Sequence, residues 1–324
     1  MAIDRPLWMR PGHDQLRGPA NAGGRFGPVN MKAAAAGWAR VPPPLRLFLV
    51  MMALLAGWYG VIGTAMADIE VDLAIRPTAS QLPPGGSVAV GMAARLIEHQ
   101  VVERSFTPND PLFYPTGLAR RTPAFQASFI GTVADAVIAL DEASPAPGLS
   151  SAAQSLAIDP RSWWLRAASP PVGRTAERHY QSAINALLAH NRHIGSARRP
   201  AAVSRSLQPA SRAALLALLV RVEAEAARGN RILRRVEEGS ASVQISSARG
   251  TAFAATMMLR AIRDDNAAAV RLSGRAARWG EALDALDAAA GLDPLFVGRD
   301  DLVKSGYSLL LAGNAMRDIL GGPG

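Results

Sequence analysis

From Leu47 to Ala67 the chain reads LFLVMMALLAGWYGVIGTAMA, 21 residues without a charge between Arg46 and Asp68. A helix rises about 1.5 Å per residue, so this run matches the roughly 30 Å hydrocarbon core of a bilayer. Nothing else in the sequence constrains the chain as strongly, because so long an apolar run must end in lipid or deep inside a protein. The flanking charge points to lipid. Residues 1–46 carry Arg5, Arg10, Arg17, Arg25, Lys32, Arg40 and Arg46 against Asp4 and Asp14, a balance of +5 out of the formal +9 of the whole chain. Basic residues beside an apolar segment stay on the cytoplasmic side. The sequence therefore predicts a disordered basic cytoplasmic tail at 1–44, a bilayer-spanning anchor at 45–67, an extended linker at 68–86 and a periplasmic helical domain at 87–321. The expected location is a bacterial inner membrane with the N-terminus in the cytoplasm. Tail disorder follows from six Gly and seven Pro among residues 1–44, which show no apolar periodicity. Ala65-Met66-Ala67 also fits the small-x-small pattern of a signal-peptidase site, which would free the downstream part as a soluble periplasmic protein. The length of the apolar run and of the segment before it favours an uncleaved anchor.

Beyond the anchor the patterning is helical. Ile69, Val71, Leu73 and Ile75 alternate with mostly polar residues and predict a short extended segment ending at Pro77, but a lone strand makes no sheet. Ser87 is placed to cap a helix running to about Arg104, with Met92, Leu96 and Val101 on one face. Phe125, Phe129, Val133, Val137 and Leu140 form one helical stripe after Thr122-Pro123. That run is short and holds Asp135, so it predicts a buried core helix in preference to a second span. Residues 144–173, rich in Pro and Ser, predict a connection. Further helices are expected from about Thr175 to Gly195, from Pro209 to about Glu238, over 242–272, over 273–290 and from Asp301 to Leu320. The fold class is all-α, an irregular bundle of six to eight helices after one transmembrane helix.

The chemistry of the chain is defined mainly by what its sequence lacks. There is no cysteine, so thiol nucleophiles, disulfides and Cys-ligated zinc are excluded. No nucleophile elbow, phosphate-binding loop, dinucleotide fingerprint or H-E-x-x-H motif occurs, and no cofactor is expected. His179, His190 and His193 share a helix face, but 11 residues of helix separate His179 from His190, about 16 Å, so all three cannot hold one ion. No metal site is expected, and His190 and His193 are read as electrostatic partners of a helix C-terminus. The positive charge is concentrated in the tail and diluted elsewhere, so nucleic acid is not an expected partner. The loop SFTPNDPLFYP offers Asn109, Asp110 and Tyr114, and the pair Trp163-Trp164 lies beside Arg161 and Arg166. These five are candidate ligand-binding residues, against the simpler readings of turn chemistry for the loop and core packing for the tryptophans. No catalytic residue is assigned.

The segments GGSVAVGMAARLIE (Gly85 to Glu98), FTPNDPLFYP (Phe106 to Pro115), TPAFQASF (Thr122 to Phe129) and the C-terminal LDPLFV with GYSLLLAGNAMRDIL resemble those of a family of proteobacterial single-pass inner-membrane proteins of unknown function. The resemblance covers most of residues 57–320 and implies the same topology and a mainly helical domain. It brings no activity and no catalytic residues. The expected function is that of a non-enzymatic, membrane-anchored envelope protein, a scaffold or accessory subunit that binds another protein. The alternative is an envelope enzyme or small-ligand-binding module acting on cell-wall material through Asp110 and the Trp163-Trp164 region.

Overall fold

Helices are the only regular structure among the described residues, ten α-helices together with π-helical turns, among them His99–Glu103. The computed structural model describes residues 41–58, 60, 69–110, 120–162, 174–197, 206–235, 238–294 and 297–321. In chain order the helices are α1 (Pro43–Gly57), α2 (Val88–Glu98, continued by the π-helical turn His99–Glu103), α3 (Arg121–Ala143), α4 (Pro147–Leu156) and α5 (Ala176–Ala197). They continue as α6 (Pro209–Arg235), α7 (Glu238–Asp265), α8 (Ala267–Leu272), α9 (Ala276–Ala290) and α10 (Arg299–Gly321). The chain divides into two units, Met1–Leu55 and Ala56–Gly324.

Helix α1 is the described part of the long apolar run. It buries none of its residues, and Leu47, Phe48, Met51 and Leu54 are each more than half exposed. An unpacked helix of this composition is unfavourable in water, since each buried CH₂ is worth about 0.8 kcal/mol. Of the predicted anchor, residues 59 and 61–67 lie outside the described residues. Among the described helices α3 is long and apolar enough to cross a membrane, whereas α1 at 15 residues is shorter. The stripe of α3 is already occupied by protein, for Phe125, Phe129, Val133, Val137 and Leu140 are all buried, as expected of a core helix.

The helical unit is built around the pairing of α3 with α7. Phe253 of α7 sits against Phe125 and Phe129, with ring centroids 6.4 and 5.2 Å away, and Ser128 and Ser247 share a hydrogen bond of 2.6 Å. Gly250 permits this approach, because a Cβ there would run into the carbonyl oxygen of Phe125. From Ala252 to Leu259 every residue of α7 is buried, the signature of a helix enclosed on all sides. On one side of the pair α6, α10 and α9 pack in succession; on the other lie α2, α5 and α4.

Two departures from the sequence reading have clear causes. The Pro/Ser-rich stretch after residue 144 contains α4, in which Pro147 starts the helix and Leu149, Ala152, Ala153 and Leu156 face the core. The single helix expected over 242–272 is broken at Asn266. Its buried side chain accepts from the Gln208 amide (3.0 Å) and donates to the Ser211 hydroxyl and the Ile262 carbonyl, both at 2.8 Å. A residue so occupied forms a corner, which α8 follows. These two helices raise the number above the six to eight expected. The alternating segment Ile69–Ile75 forms no ladder; Ile69, Val71 and Leu73 pack on the core and Ile75 is buried.

Candidate functional site

The NDP loop enters the protein through its own polar groups. Gln126 of α3 accepts from both the amide and the hydroxyl of Thr107 (2.9 Å each) and donates to the Ser105 carbonyl at 2.9 Å. Phe106 meets Tyr180 of α5 edge to face at 5.6 Å, and the Tyr180 hydroxyl donates to the Ile158 carbonyl at 2.8 Å. Burial first, then Asp159, pushes the Tyr180 phenol well above its ordinary range, so it stays a neutral donor. Asn109 is 7% exposed and its Oδ1 meets no hydrogen-bond partner among the described residues, whereas Asp110 is half-buried and its amide closes a turn on the Thr107 carbonyl. Of the five candidate residues these two are brought to the edge of the core beside α3 and α5. Tyr114, Trp163 and Trp164 lie outside the described residues.

A second polar cluster occupies the π-helical turn. The His99 Nδ1 faces Glu103 Oε2 at 2.9 Å, and Arg95 pairs with Glu103 and Glu98. Arg95 first, then His99, holds the Glu103 carboxyl down at about 2. Glu103 is therefore ionised and accepts from the ring at Nδ1, and the buried Nε2 meets no partner among the described residues. Among the described residues no set of three His or acidic groups is placed to hold a metal ion. Burial first and His193 second lower the His190 pKa from its ordinary value.

The remaining polar groups tie helices together. Asp265, at the end of α7, accepts from the Val88 and Ala89 amides (2.8 and 2.9 Å) and the Ser87 hydroxyl (2.6 Å), so two residues far apart in sequence cap α2 jointly. Asn191 of α5, fully buried, accepts from the Ser87 amide at 2.7 Å and donates to the Gln81 carbonyl at 2.6 Å. Gly85, at φ 78°, makes the turn this clasp requires. Glu225, 1% exposed, accepts from Arg228 (2.6 Å) and Gln244 (2.7 Å) between α6 and α7. Asp293 receives Arg249 at 2.6 Å and Arg121 at 3.2 Å, which binds the AGLDP turn to α3 and α7. Their arrangement is that of structural cross-links, each carboxylate facing amides or a guanidinium.

The outer faces of α6 and α10 carry the other feature of functional interest. Leu216 and Val220 on α6 are 52% and 59% exposed, and Val303, Tyr307, Leu310 and Leu311 on α10 are 41–62% exposed. They fall at i, i+4, i+7 intervals on neighbouring helices, so they form one apolar surface and are not scattered. Comparison of the chain with protein-family models, curated proteins and solved structures finds no match in any of the three.

Proposed function

We propose that the chain is a non-enzymatic, membrane-anchored envelope protein, a scaffold or accessory subunit whose helical domain acts by binding protein through the outer face of α6 and α10. The observation that carries this reading is the exposed apolar surface of Leu216, Val220, Val303, Tyr307, Leu310 and Leu311; the other large exposed apolar side chains among the described residues of the domain, Val102 and Leu272, stand singly on other elements. Contiguous apolar surface of this kind marks contact sites on folded proteins. The unburied apolar side chains of α1 and the basic residues before it support anchorage in a membrane with the tail in the cytoplasm and the domain in the periplasm. The resemblance of the Gly85–Glu98 and Phe106–Pro115 segments to single-pass inner-membrane proteins implies the same topology, and we propose that family for the chain.

The test places a photo-reactive residue at Leu216 or Leu310 of the full-length protein in native membranes. Adducts are expected at these positions and not at Gln181 on the exposed side of α5. Adducts at Gln181 alone, or at none of the three, would overturn the reading. Anchorage is checked by extraction at high pH. The protein stays with the lipid pellet if the apolar run spans the bilayer, and release into the supernatant excludes the anchor.

A further inference from the structure

The levels of the two outer helices are fixed by their contacts. Gly313 of α10 lies against Leu219 and Glu223 of α6, where an added Cβ would be 3.5–3.7 Å from their side chains. A Cβ added at Gly306 would lie 3.9 Å from Asn230 Oδ1, and Arg317 pairs with Glu223 at 2.7 Å. The helices are therefore antiparallel, with Tyr307 at the level of Ala227, Leu311 near Ala224, Asp318 near Leu216 and Arg212, and Asp300 near Arg234. The outward line of α6 reads Arg212, Leu216, Val220, Ala224, Ala227, Arg231, Arg234, all exposed. It is basic at both ends and low in the middle. The outward line of α10 reads Asp300, Val303, Tyr307, Leu311, Asn314, Asp318, also exposed, with Asp300 and Asp318 at its ends, an apolar middle, and the exposed Lys304 at its edge between Asp300 and Tyr307.

We propose that the occupant of this face is a second copy of the chain, related by a two-fold axis running along the α6–α10 pair. Such an axis lays α10 of one copy on α6 of the other at the same levels, and an isologous contact makes every pairing twice. Tyr307 then fills the low stretch at Ala227 and Ala224, and Leu311 packs on Ala224 and Val220. Asp300 reaches Arg231 and Arg234, and Asp318, which within its own chain pairs with Arg278 at 3.3 Å, reaches Arg212. The acidic ends of one helix match the basic ends of the other, so opposite charges fix the register while the apolar middle provides the association. The inference rests on the reading of this face as a protein-binding surface.

The natural chain has no cysteine, which makes the test direct. Two differently tagged full-length populations, one Ala227→Cys and one Tyr307→Cys, are co-expressed and their membranes oxidised. A disulfide-linked dimer carrying both tags is expected, with at least tenfold less from Gln181→Cys paired with either. Cysteine-free full-length protein in detergent is expected at twice the chain mass, and Val220→Glu with Tyr307→Glu at the monomer mass with an unchanged melting temperature. Absence of the mixed disulfide together with monomeric wild-type protein overturns the dimer. If photo-adducts at Leu216 and Leu310 then contain a different protein, the surface reading stands and only the second copy is wrong. If no adduct forms, both fall.

Discussion

Replacing Asp265 by Ala removes a carboxylate that accepts three hydrogen bonds at the start of α2, from the Val88 amide, the Ala89 amide and the Ser87 hydroxyl. An N-cap is typically worth about 1 kcal/mol, and hydrogen bonds to a charged group about 1.5–3 kcal/mol each. These do not add in full. Asp265 is half-buried, so water recovers part of the loss, and the Ser87 hydroxyl still faces the Val90 amide at 3.3 Å. The expected cost is about 3 kcal/mol, or roughly 6–12 °C in melting temperature for a domain of this size. Asp265→Asn keeps one acceptor but loses the negative charge at the helix N-terminus, and about 1–2 kcal/mol is expected. The assay is denaturant unfolding of the full chain in detergent, joined to hydrogen exchange at Val88 and Ala89. Asp265→Ala should release these two amides more than it releases the centre of α7. A double-mutant cycle with Ser87→Ala should return a coupling of about 1 kcal/mol. Stability within about 0.5 kcal/mol of wild type, with both amides still protected, would refute the claim that α7 caps α2.

Gly250→Ala should be among the most damaging small substitutions, because its Cβ meets the Phe125 backbone and not a flexible side chain. Loss of the cooperative unfolding transition, or at least about 3 kcal/mol, is expected, and a neutral result would mean that α3 and α7 are further apart. Phe129→Ala, at a fully buried ring between Phe125 and Phe253, should cost about 3–5 kcal/mol in the same unfolding assay. Arg95 first, then His99, holds the Glu103 carboxyl at about 2 in the folded chain, below its ordinary 4.5. Its stabilisation is therefore present above pH 4.5 and lost as pH falls towards 2. Because its side chain is 43% exposed, the contribution is about 1 kcal/mol at most, and Glu103→Gln should flatten the acid limb of a stability–pH curve by that amount. His190 has the opposite chemistry and the same direction, since a base whose folded pKa is lowered loses stability as pH falls through its unfolded value of 6.5. Thermal melts from pH 7.5 to 5.5 should show a shallower loss for His190→Gln.

The parts of the fold that sequence revealed are those governed by neighbours along the chain. Ser87 as a cap and the Phe125–Leu140 stripe need only local stereochemistry and a 3.6-residue period, and both are found where the pattern put them. The α4 helix was hidden because Pro147 reads equally as a breaker and as a first-turn residue, and only the burial of Leu149, Ala152 and Leu156 against other helices decides between them. The polar clamps were beyond reach for a different reason. Asp265 caps an amide 177 residues away and Asn191 one 104 residues away, so their side chains appear in sequence as an ordinary acid at a helix end and an ordinary amide within a helix. The same separation governs function. The candidate loop was singled out for Asn109 and Asp110, yet the structure uses Thr107 and Gln126 to hold it, a pair that no local motif joins. The α6–α10 surface shows the limit from the other side. Leu216 and Val220 belong to an Ala/Leu run whose composition does not tell an inner face from an outer one, and only their exposure beside Tyr307 and Leu311 once the core is filled turns an apolar stripe into a place for a partner. A charge at Val220 or Tyr307 should therefore leave folding intact while abolishing association. A charge at Leu219 or Leu309, one helical step inward, should unfold the domain.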